Sequence, residues 1–375
     1  MWRKIGIDTT AITLNSLGVH NYVYELSKNL LSIDQSIQYV LYCQKAVPHQ
    51  FKTYAKKAEL KIAPIKNRKL CEQVWLSFVA PANNLDLLHC PAWGLPLYYP
   101  KKTVLTLHGL GWRFIPDMHD KKVSMYLRWR AERSARNATR LIAISQATKE
   151  AYVEHLGIPE DKIDVVHHGV NTDLFSQQVG MKRIERIRNR YALPPSFILY
   201  VGAMFKHKNI DTLIRAYSLL SGRKGFERIG LVIAGQKSLQ YEYLRKLAIN
   251  LGIDEKVRFT GYFPAVDLNA LYKASNLFVF PSLYEGFGLP VLEAFASGVP
   301  LVASDIPALS EIAGDAAILV DPKNTDELAY AIEKVLLDES LQKDMIEKGL
   351  KRAKQFSWKK TAEKTLNTYK KVLKS

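Results

Sequence analysis

Leu277-Phe278-Val279-Phe280, followed by Pro281-Ser-Leu-Tyr-Glu285-Gly286-Phe287-Gly288-Leu289-Pro290-Val291-Leu-Glu293-Ala-Phe-Ala-Ser-Gly298, decides how the rest of the chain is read. Residues 277–280 are a short run of large apolar side chains stopped by a proline, the pattern of a buried strand. Gly286 and Gly288 permit backbone angles and close approaches that a Cβ blocks, and Pro290 fits the first turn of a helix, where its missing N–H costs nothing. Gly298 ends that helix. The turn leaves N–H groups, at Leu289, Val291 and nearby, directed past the carboxyl end of the strand, and aligned peptide dipoles favour a phosphate or diphosphate there without a metal. Glu285 in the turn and Glu293 about one helical turn in flank that position. One carboxylate accepts hydrogen bonds from hydroxyls on one side of a diphosphate and the other from hydroxyls beyond it, which is the layout of a nucleotide sugar.

A chain of 375 residues is too long for one ordinary core and implies two domains. With 47% hydrophobic and 24% charged residues it reads as a soluble globular protein. The longest apolar runs, such as Phe197 to Phe205, fall short of the roughly 20 residues a membrane span needs. Asp8 interrupts any apolar region behind Arg3-Lys4, so no signal peptide is expected. Cys43, Cys71 and Cys90 lack metal-ligand spacing and cannot all pair with one another, which fits reducing cytosol. The formal charge is +17, gathered at Lys52 to Lys69, Lys121 to Arg140, Lys182 to Arg190 and Lys343 to Lys374. Such clusters are either solvated helix faces or sites for an anionic membrane surface or a phosphorylated substrate. Nucleic acid is not an expected partner, because no zinc finger, RNA-recognition sequence or aromatic repeat is present to read bases.

Apolar runs at Lys4 to Asp8, Gln38 to Cys43, Leu85 to His89, Thr103 to Leu107, Leu141 to Ile144 and Ile163 to Val166 read as strands, with helical stretches between most of them. The alternation resumes at Phe197 to Val201, Leu231 to Ala234, Val257 to Thr260, Val299 to Ser304 and Ala317 to Val320. Strands alternating with helices imply parallel, doubly wound sheets. A helix is expected over Arg68 to Ala80, with Leu70, Val74 and Phe78 on one row and Cys71, Trp75 and Val79 on the next. It either covers its own sheet, the commoner arrangement, or lies on a membrane. His108 follows the strand Thr103 to Leu107 at the end where open α/β sheets place ligands. The adjacent His167 and His168 do not form a metal pair, since neighbours on an extended segment point to opposite faces.

Glu285, seven intervening residues and Glu293, with Gly-Phe-Gly-Leu-Pro between them, resemble the signature of the retaining glycosyltransferases of family 4. A glutamate pair at that spacing is common in helices, whereas the full string from Pro281 to Ala294 is highly specific. The resemblance spans nearly the whole chain and implies an α/β, GT-B architecture: two Rossmann-like doubly wound domains facing a central cleft. Residues 1–175 form the acceptor-binding domain, 176–195 a linker, 196–355 the nucleotide-sugar domain, and 356–375 a helix crossing back to the first domain.

Residue by residue, Gly18-Val19-His20-Asn21-Tyr22 resembles the family's glycine-rich amino-terminal loop beside the donor, with only Gly18 and Tyr22 matching. His108 matches a histidine that contacts the donor sugar near the reacting carbon. In Gly202-Ala203-Met-Phe-Lys206-His207-Lys208-Asn209, Lys208 matches the diphosphate-binding lysine, and Ala203 stands where many members have arginine. Lys208 therefore carries more of the charge, with Lys206 assisting. The segment Gly261-Tyr262-Phe263 matches the one that holds the nucleobase.

These assignments make His108, Lys208 and Glu285 the expected catalytic residues. Gly18, Gly202, Lys206, Gly261, Tyr262, Gly286, Phe287, Gly288, Leu289, Val291 and Glu293 are the expected donor contacts. No metal or other cofactor is expected, because no Asp-x-Asp occurs. The implied function is hexose transfer, mannose first, from a nucleoside-diphosphate sugar such as GDP-mannose. The implied acceptor is a glycan or a polyprenyl-diphosphate-linked chain in surface-polysaccharide or lipopolysaccharide assembly. Retention is open between a covalent carboxylate intermediate and reaction on one face with the leaving phosphate taking the acceptor's proton. A nucleotide-sugar epimerase or phosphorylase on the same fold, or a non-catalytic sugar-nucleotide-binding partner, are the alternatives. The expected location is cytoplasmic, peripheral at the inner face of the cell membrane.

Overall fold

The computed structural model describes residues 3–12, 18–44, 56–92, 94–115, 121–176 and 178–374. The chain divides into two compact units, Met1–Gly169 with Ser357–Ser375, and Val170–Phe356. Each is built on a parallel sheet, which needs a crossover between successive strands and so buries both of its faces.

In the first unit the strands are β1 (Arg3–Asp8), β2 (Ile37–Cys43), β3 (Glu59–Ile62), β4 (Leu87–Cys90), β5 (Thr103–Leu107), β6 (Arg140–Ala143) and β7 (Ile163–Val165), in the order β3-β2-β1-β4-β5-β6-β7. Every residue of β4 and β5 is buried, which is why these runs carry no polar alternation. Strand β3 was not expected. Its Glu-Leu-Lys-Ile sequence alternates polar and apolar residues because it is an edge, paired with β2 alone from Val40↔Glu59 to Cys43↔Ile62. All three cysteines are buried free thiols. No helix among the described residues is long and apolar enough to cross a membrane.

The expected helix over Arg68 to Ala80 is broken into three pieces: a helical turn at Arg68–Leu70, a π turn at Cys71–Trp75, and the helix Leu76–Ala82. Cys71 is buried, and Trp75 and Val79 pack against the core, so this row covers the sheet. The other row does not. Leu70, Val74 and Phe78 are exposed, Phe78 by 74%.

The last helix, Trp358–Lys374, packs against Val19–Ile33 within the first unit. Gly169 makes its entry possible, since a Cβ there would lie 2.1 Å from the backbone nitrogen of Trp358. Thr361 donates to the His167 carbonyl at 2.8 Å, and the Tyr369 hydroxyl meets His89 Nδ1 at 2.6 Å. Asp164, at the edge strand β7, accepts from Arg140 at 2.6 and 2.7 Å, from Thr368 at 2.8 Å and from Lys371 at 2.7 Å.

The second unit contains β8 (Ser196–Val201), β9 (Ile229–Ala234), β10 (Val257–Gly261), β11 (Leu277–Phe280), β12 (Leu301–Ser304) and β13 (Ile318–Val320), in the order β10-β9-β8-β11-β12-β13. Much of the segment read as a linker is the helix Met181–Tyr191, which packs against Ala265–Ala274. Arg183 and Arg186 pair with Asp267 at 3.3 and 3.6 Å, and the Tyr191 ring lies 4.2 Å from that of Phe263.

Burial alone would raise the Asp164 carboxyl, but its hydrogen bonds from Arg140, Lys371 and Thr368 outweigh burial and hold it at about 2. A carboxylate held below its unfolded value contributes stability that is full above about pH 4 and is lost as pH falls from there toward about 2. Asp164→Asn is expected to lower stability at pH 7 by about 1–2 kcal/mol, discounted for partial solvent access. The loss of the urea midpoint between pH 4 and 2 should shrink with it. A midpoint falling as steeply as the parent's would assign the acid lability to other carboxylates.

Candidate functional site

In the second unit the strand order reverses between β8 and β11, and ligands of open α/β sheets bind beyond the carboxyl ends of the strands at such a point. The loops leaving these two strands are tied together. Asn209, at φ 56°, donates through Nδ2 to the carbonyls of Pro281 at 3.0 Å and Pro322 at 2.7 Å, while Thr212 donates to its Oδ1 at 2.8 Å. The Leu283 N–H donates to the His207 carbonyl at 2.8 Å.

This lacing brings Lys208 and Glu285 together. Lys208 Nζ donates to Glu285 Oε1 at 2.6 Å and stands 5.4 Å from the centre of the Phe280 ring. Ser282 Oγ donates to the same carboxylate oxygen at 2.7 Å. Lys206 is exposed at the start of the short 3-10 turn Lys206–Lys208.

The helix Leu289–Ala296 starts behind Gly288, whose φ of 109° requires glycine. A Cβ there would also meet Leu309 at 2.7 Å. At two of the expected donor contacts the groups are already engaged within the protein. The Val291 N–H is not free: the tight turn at Gly288 lets it donate to the Gly288 carbonyl at 3.0 Å, and the side chain is fully buried. Phe287 is 3% exposed and packs edge-on against Phe356 at 6.2 Å, so its ring faces the core. Within the described residues no hydrogen bond uses the N–H of Gly288 or Leu289. These two amides head the helix.

Glu293 lies one turn further in, where the Tyr272 hydroxyl donates to its Oε2 at 3.0 Å. Burial pushes this carboxyl up to about 7, with the tyrosine hydrogen bond pulling the other way. Three glycines line the remaining strand ends. Gly202 has φ 156°, Gly261 has φ 73° at a bulge in β10, and the Gly235 N–H donates to the Gly261 carbonyl at 3.0 Å. A Cβ on Gly235 would fall 1.8 Å from the Gly202 carbonyl oxygen. Tyr262, next to them, is 54% exposed.

The first unit gathers a second set around His108. Its Nε2 donates to the Pro91 carbonyl at 2.6 Å, which fixes the tautomer and makes Nδ1 the acceptor. Burial pulls this histidine down to about 4, so the ring is neutral at pH 7. Tyr22 presents its ring edge-on to His108 at 5.2 Å and stacks on the buried His168 at 4.4 Å. The Tyr22 hydroxyl meets Thr106 Oγ1 at 3.1 Å, and Thr106 Oγ1 meets His89 Nε2 at 2.9 Å. Gly18, at φ 66°, opens the helix Val19–Ile33 that carries Tyr22. Among the described residues no group of three or more His, Cys, Asp or Glu side chains is placed to hold a metal ion.

Ser282, Tyr272, Gly235 and His168 were not expected at these places. Ser282 sits inside the diagnostic string three residues before Glu285, a local signal for a hydroxyl on that carboxylate. Tyr272 reaches Glu293 across 21 residues and leaves no local signal.

Residues 17–174 match the family model Glycosyltransferase Family 4, and residues 182–352 match Glycosyl transferases group 1. The O-antigen chain mannosyltransferase B of Escherichia coli is 31% identical over 285 residues, 76% of this chain and 74% of that protein. Among solved structures, sucrose-phosphate synthase from Thermosynechococcus elongatus aligns with a TM-score of 0.78 at 21% identity over 99% of both chains. Anabaena Alr3699/HepE in complex with UDP-glucose aligns with a TM-score of 0.76 at 18% identity, over 98% of this chain and 99% of that one. At such identities the shared property is the fold, and the two parallel-sheet units are those of GT-B.

A ribose bound at Glu293 would carry a pH signature. The hydroxyls of a ribose donate to a carboxylate and favour its ionised form, while burial favours the neutral form below about pH 7. Affinity for a nucleoside diphosphate is therefore expected to rise about tenfold between pH 6 and 8, with proton release on binding at the lower pH. Glu293→Gln subtracts the diphosphate's own titration. Identical calorimetric pH profiles for parent and variant would remove Glu293 from the ribose site.

Proposed function

Because the chain belongs to glycosyltransferase family 4, we propose that it transfers a hexose, mannose first, from a nucleoside-diphosphate sugar to a lipid-linked glycan in surface-polysaccharide assembly. The observation that carries the donor assignment is the arrangement at the switch point of the second sheet. Lys208 stands on Glu285, the amides of Gly288 and Leu289 head a helix, and Glu293 lies one turn further in. Lys208 and the two amides receive the diphosphate, Glu293 the ribose diol, and Glu285 the sugar hydroxyls. Gly202, Gly235 and Gly261 leave room for backbone contact with the nucleotide. The similarity to an O-antigen chain mannosyltransferase supports mannose and a polysaccharide acceptor. The UDP-glucose complex on the same fold supports a nucleotide sugar as donor.

In this reading the bond between the anomeric carbon and the β-phosphate oxygen breaks, and its electron pair leaves on the diphosphate. Lys208 and the helix amides stabilise that developing charge without a protein-held metal. The acceptor hydroxyl bonds to the anomeric carbon on the same face, and its proton passes to the leaving phosphate, so the anomeric configuration is retained. Glu285 Oε1 already accepts two hydrogen bonds, from Lys208 and Ser282, which weakens it as a nucleophile and favours this route over a covalent intermediate. His108, neutral and with Nδ1 as acceptor, is suited to a sugar hydroxyl and not to proton donation. In this reading a hydrocarbon-anchored acceptor holds the reaction at a membrane surface, taken as the inner face of the cell membrane.

A panel of nucleotide sugars, with released nucleoside diphosphate as the readout, tests the proposal. Acceptor-dependent release is expected from GDP-mannose, with UDP-hexoses next, and Lys208→Ala is expected to lower kcat by about 10²-fold or more. Release from no donor when lipid-linked glycan is present, or a Lys208→Ala variant turning over at the parent rate, would overturn the assignment.

A further inference from the structure

The row Leu70, Val74 and Phe78 lies on the surface of the first unit and has neighbours of the same kind. The Leu97 N–H donates to the Gln73 carbonyl at 3.1 Å, and the Tyr98 N–H to Ser77 Oγ at 3.0 Å, which sets these two exposed side chains beside the row. Across the strip runs the helix Lys121–Asn137. Lys69 Nζ stands 5.4 Å from the Tyr126 ring, Arg133 donates to the carbonyls of Pro96 and Leu97, and Arg130 pairs with Glu72 at 2.7 Å. Trp129, on the same helix and 46% exposed, lies 6.1 Å from Tyr126. Leu70, Val74, Phe78, Leu97, Tyr98 and Trp129 thus form one apolar strip, of the kind a soluble surface rarely leaves bare. Of the aromatic residues nearby, Trp75, Tyr99 and Trp112 pack against the core and take no part.

The charge around the strip has one sign. Residues 66–82 hold three Lys or Arg to one Glu, and residues 123–137 hold four to one. Both carboxylates are already paired, Glu72 with Arg130 at 2.7 Å and Arg68 at 3.3 Å, and Glu132 with Arg128 at 2.8 Å. The strip therefore presents exposed apolar side chains within an uncompensated basic rim. A second copy of the chain would bring the same positive rim against it, whereas an anionic phospholipid surface complements both features.

We propose that the face made by residues 70–78, Leu97–Tyr98 and the helix Lys121–Asn137 docks the chain on an anionic phospholipid surface, with Phe78 and Trp129 inserted at the level of the headgroups. This deepens the reading of a membrane-held acceptor and rests on it for the reason to dock; the docking itself needs no acceptor.

The test uses vesicles of equal parts phosphatidylglycerol and phosphatidylcholine, without acceptor lipid. The parent chain is expected to co-sediment with them at low salt, to be released as the Debye length shrinks, and to ignore pure phosphatidylcholine. Val74→Ser with Phe78→Ser should lower the partition coefficient about tenfold or more, while Tyr330→Ser, an exposed aromatic of the second unit, should leave it unchanged. Bromine-labelled lipid should quench the parent's tryptophan fluorescence and quench Trp129→Phe by half as much or less, which keeps the test decisive if the double variant folds poorly. No co-sedimentation at low salt, equal partition of parent and double variant, or undiminished quenching of Trp129→Phe overturns the proposal. So does a dimer in solution that the double variant dissociates while vesicles stay unbound. A chain that docks yet releases no nucleotide from any donor refutes the transfer reading alone, and one that transfers to a soluble acceptor yet ignores vesicles refutes docking alone.

Discussion

Lys208 and Glu285, 2.6 Å apart with 17% and 12% of their side chains exposed, hold the head of the second sheet in place. Either charge alone at that depth carries a desolvation cost of several kcal/mol, and the pair removes most of it only while both are present and hydrogen-bonded. Ser282 supplies the extra donor. In the proposed reading the pair also decides what the site accepts. Because Glu285 already neutralises Lys208, a diphosphate needs further positive potential, which the two amides at Gly288 and Leu289 and the helix dipole supply. The carboxylate then has neutral hydroxyls to turn to. A dianion next to hydroxyl-bearing rings on both sides satisfies every one of these groups.

Most of this geometry depends on small local devices. Asn209 closes the loop after β8 onto the strand that precedes Glu285, using an αL backbone and three side-chain hydrogen bonds. Gly235 allows the ends of β8, β9 and β10 to converge on one spot, with its amide spent on the Gly261 carbonyl. In the first unit the corresponding order is imposed by the last helix. Tyr369, His89, Thr106 and Tyr22 form one buried hydrogen-bonded chain, and Tyr22 lies against His108. The final residues of the chain thus bear on the position of a histidine more than 250 residues earlier.

Legibility in the sequence followed burial and locality. Strands buried on both faces, such as Thr103–Leu107 and Leu277–Phe280, announced themselves as apolar runs, and the strand-turn-helix with its two glutamates was readable because all of its parts lie within 22 residues. Strand Glu59–Ile62 was not, because an edge strand need not be apolar on both faces. The amide of Val291 was misassigned because counting from the helix start ignores the turn that consumes it. Helical periodicity shows both rows of the helix expected over Arg68 to Ala80, yet gives no sign of the π turn at Cys71–Trp75 or of which row meets the sheet. Tyr272 on Glu293 and Tyr369 on His89 are tertiary partnerships across 21 and 280 residues, and no spacing rule reaches them.

Hydrogen exchange at peptide resolution, with and without saturating nucleoside diphosphate, tests the central assignment of the donor to this loop pair. Among the described residues the Gly288 and Leu289 amides have no partner, and the loop carrying Lys208 is laced to the same spot. Exchange is predicted to slow in residues 282–293 and 202–209 together, by more than anywhere in the first sheet's loops. Unchanged exchange in residues 282–293 under saturating ligand, or slowing confined to the unit Met1–Gly169, would contradict the account.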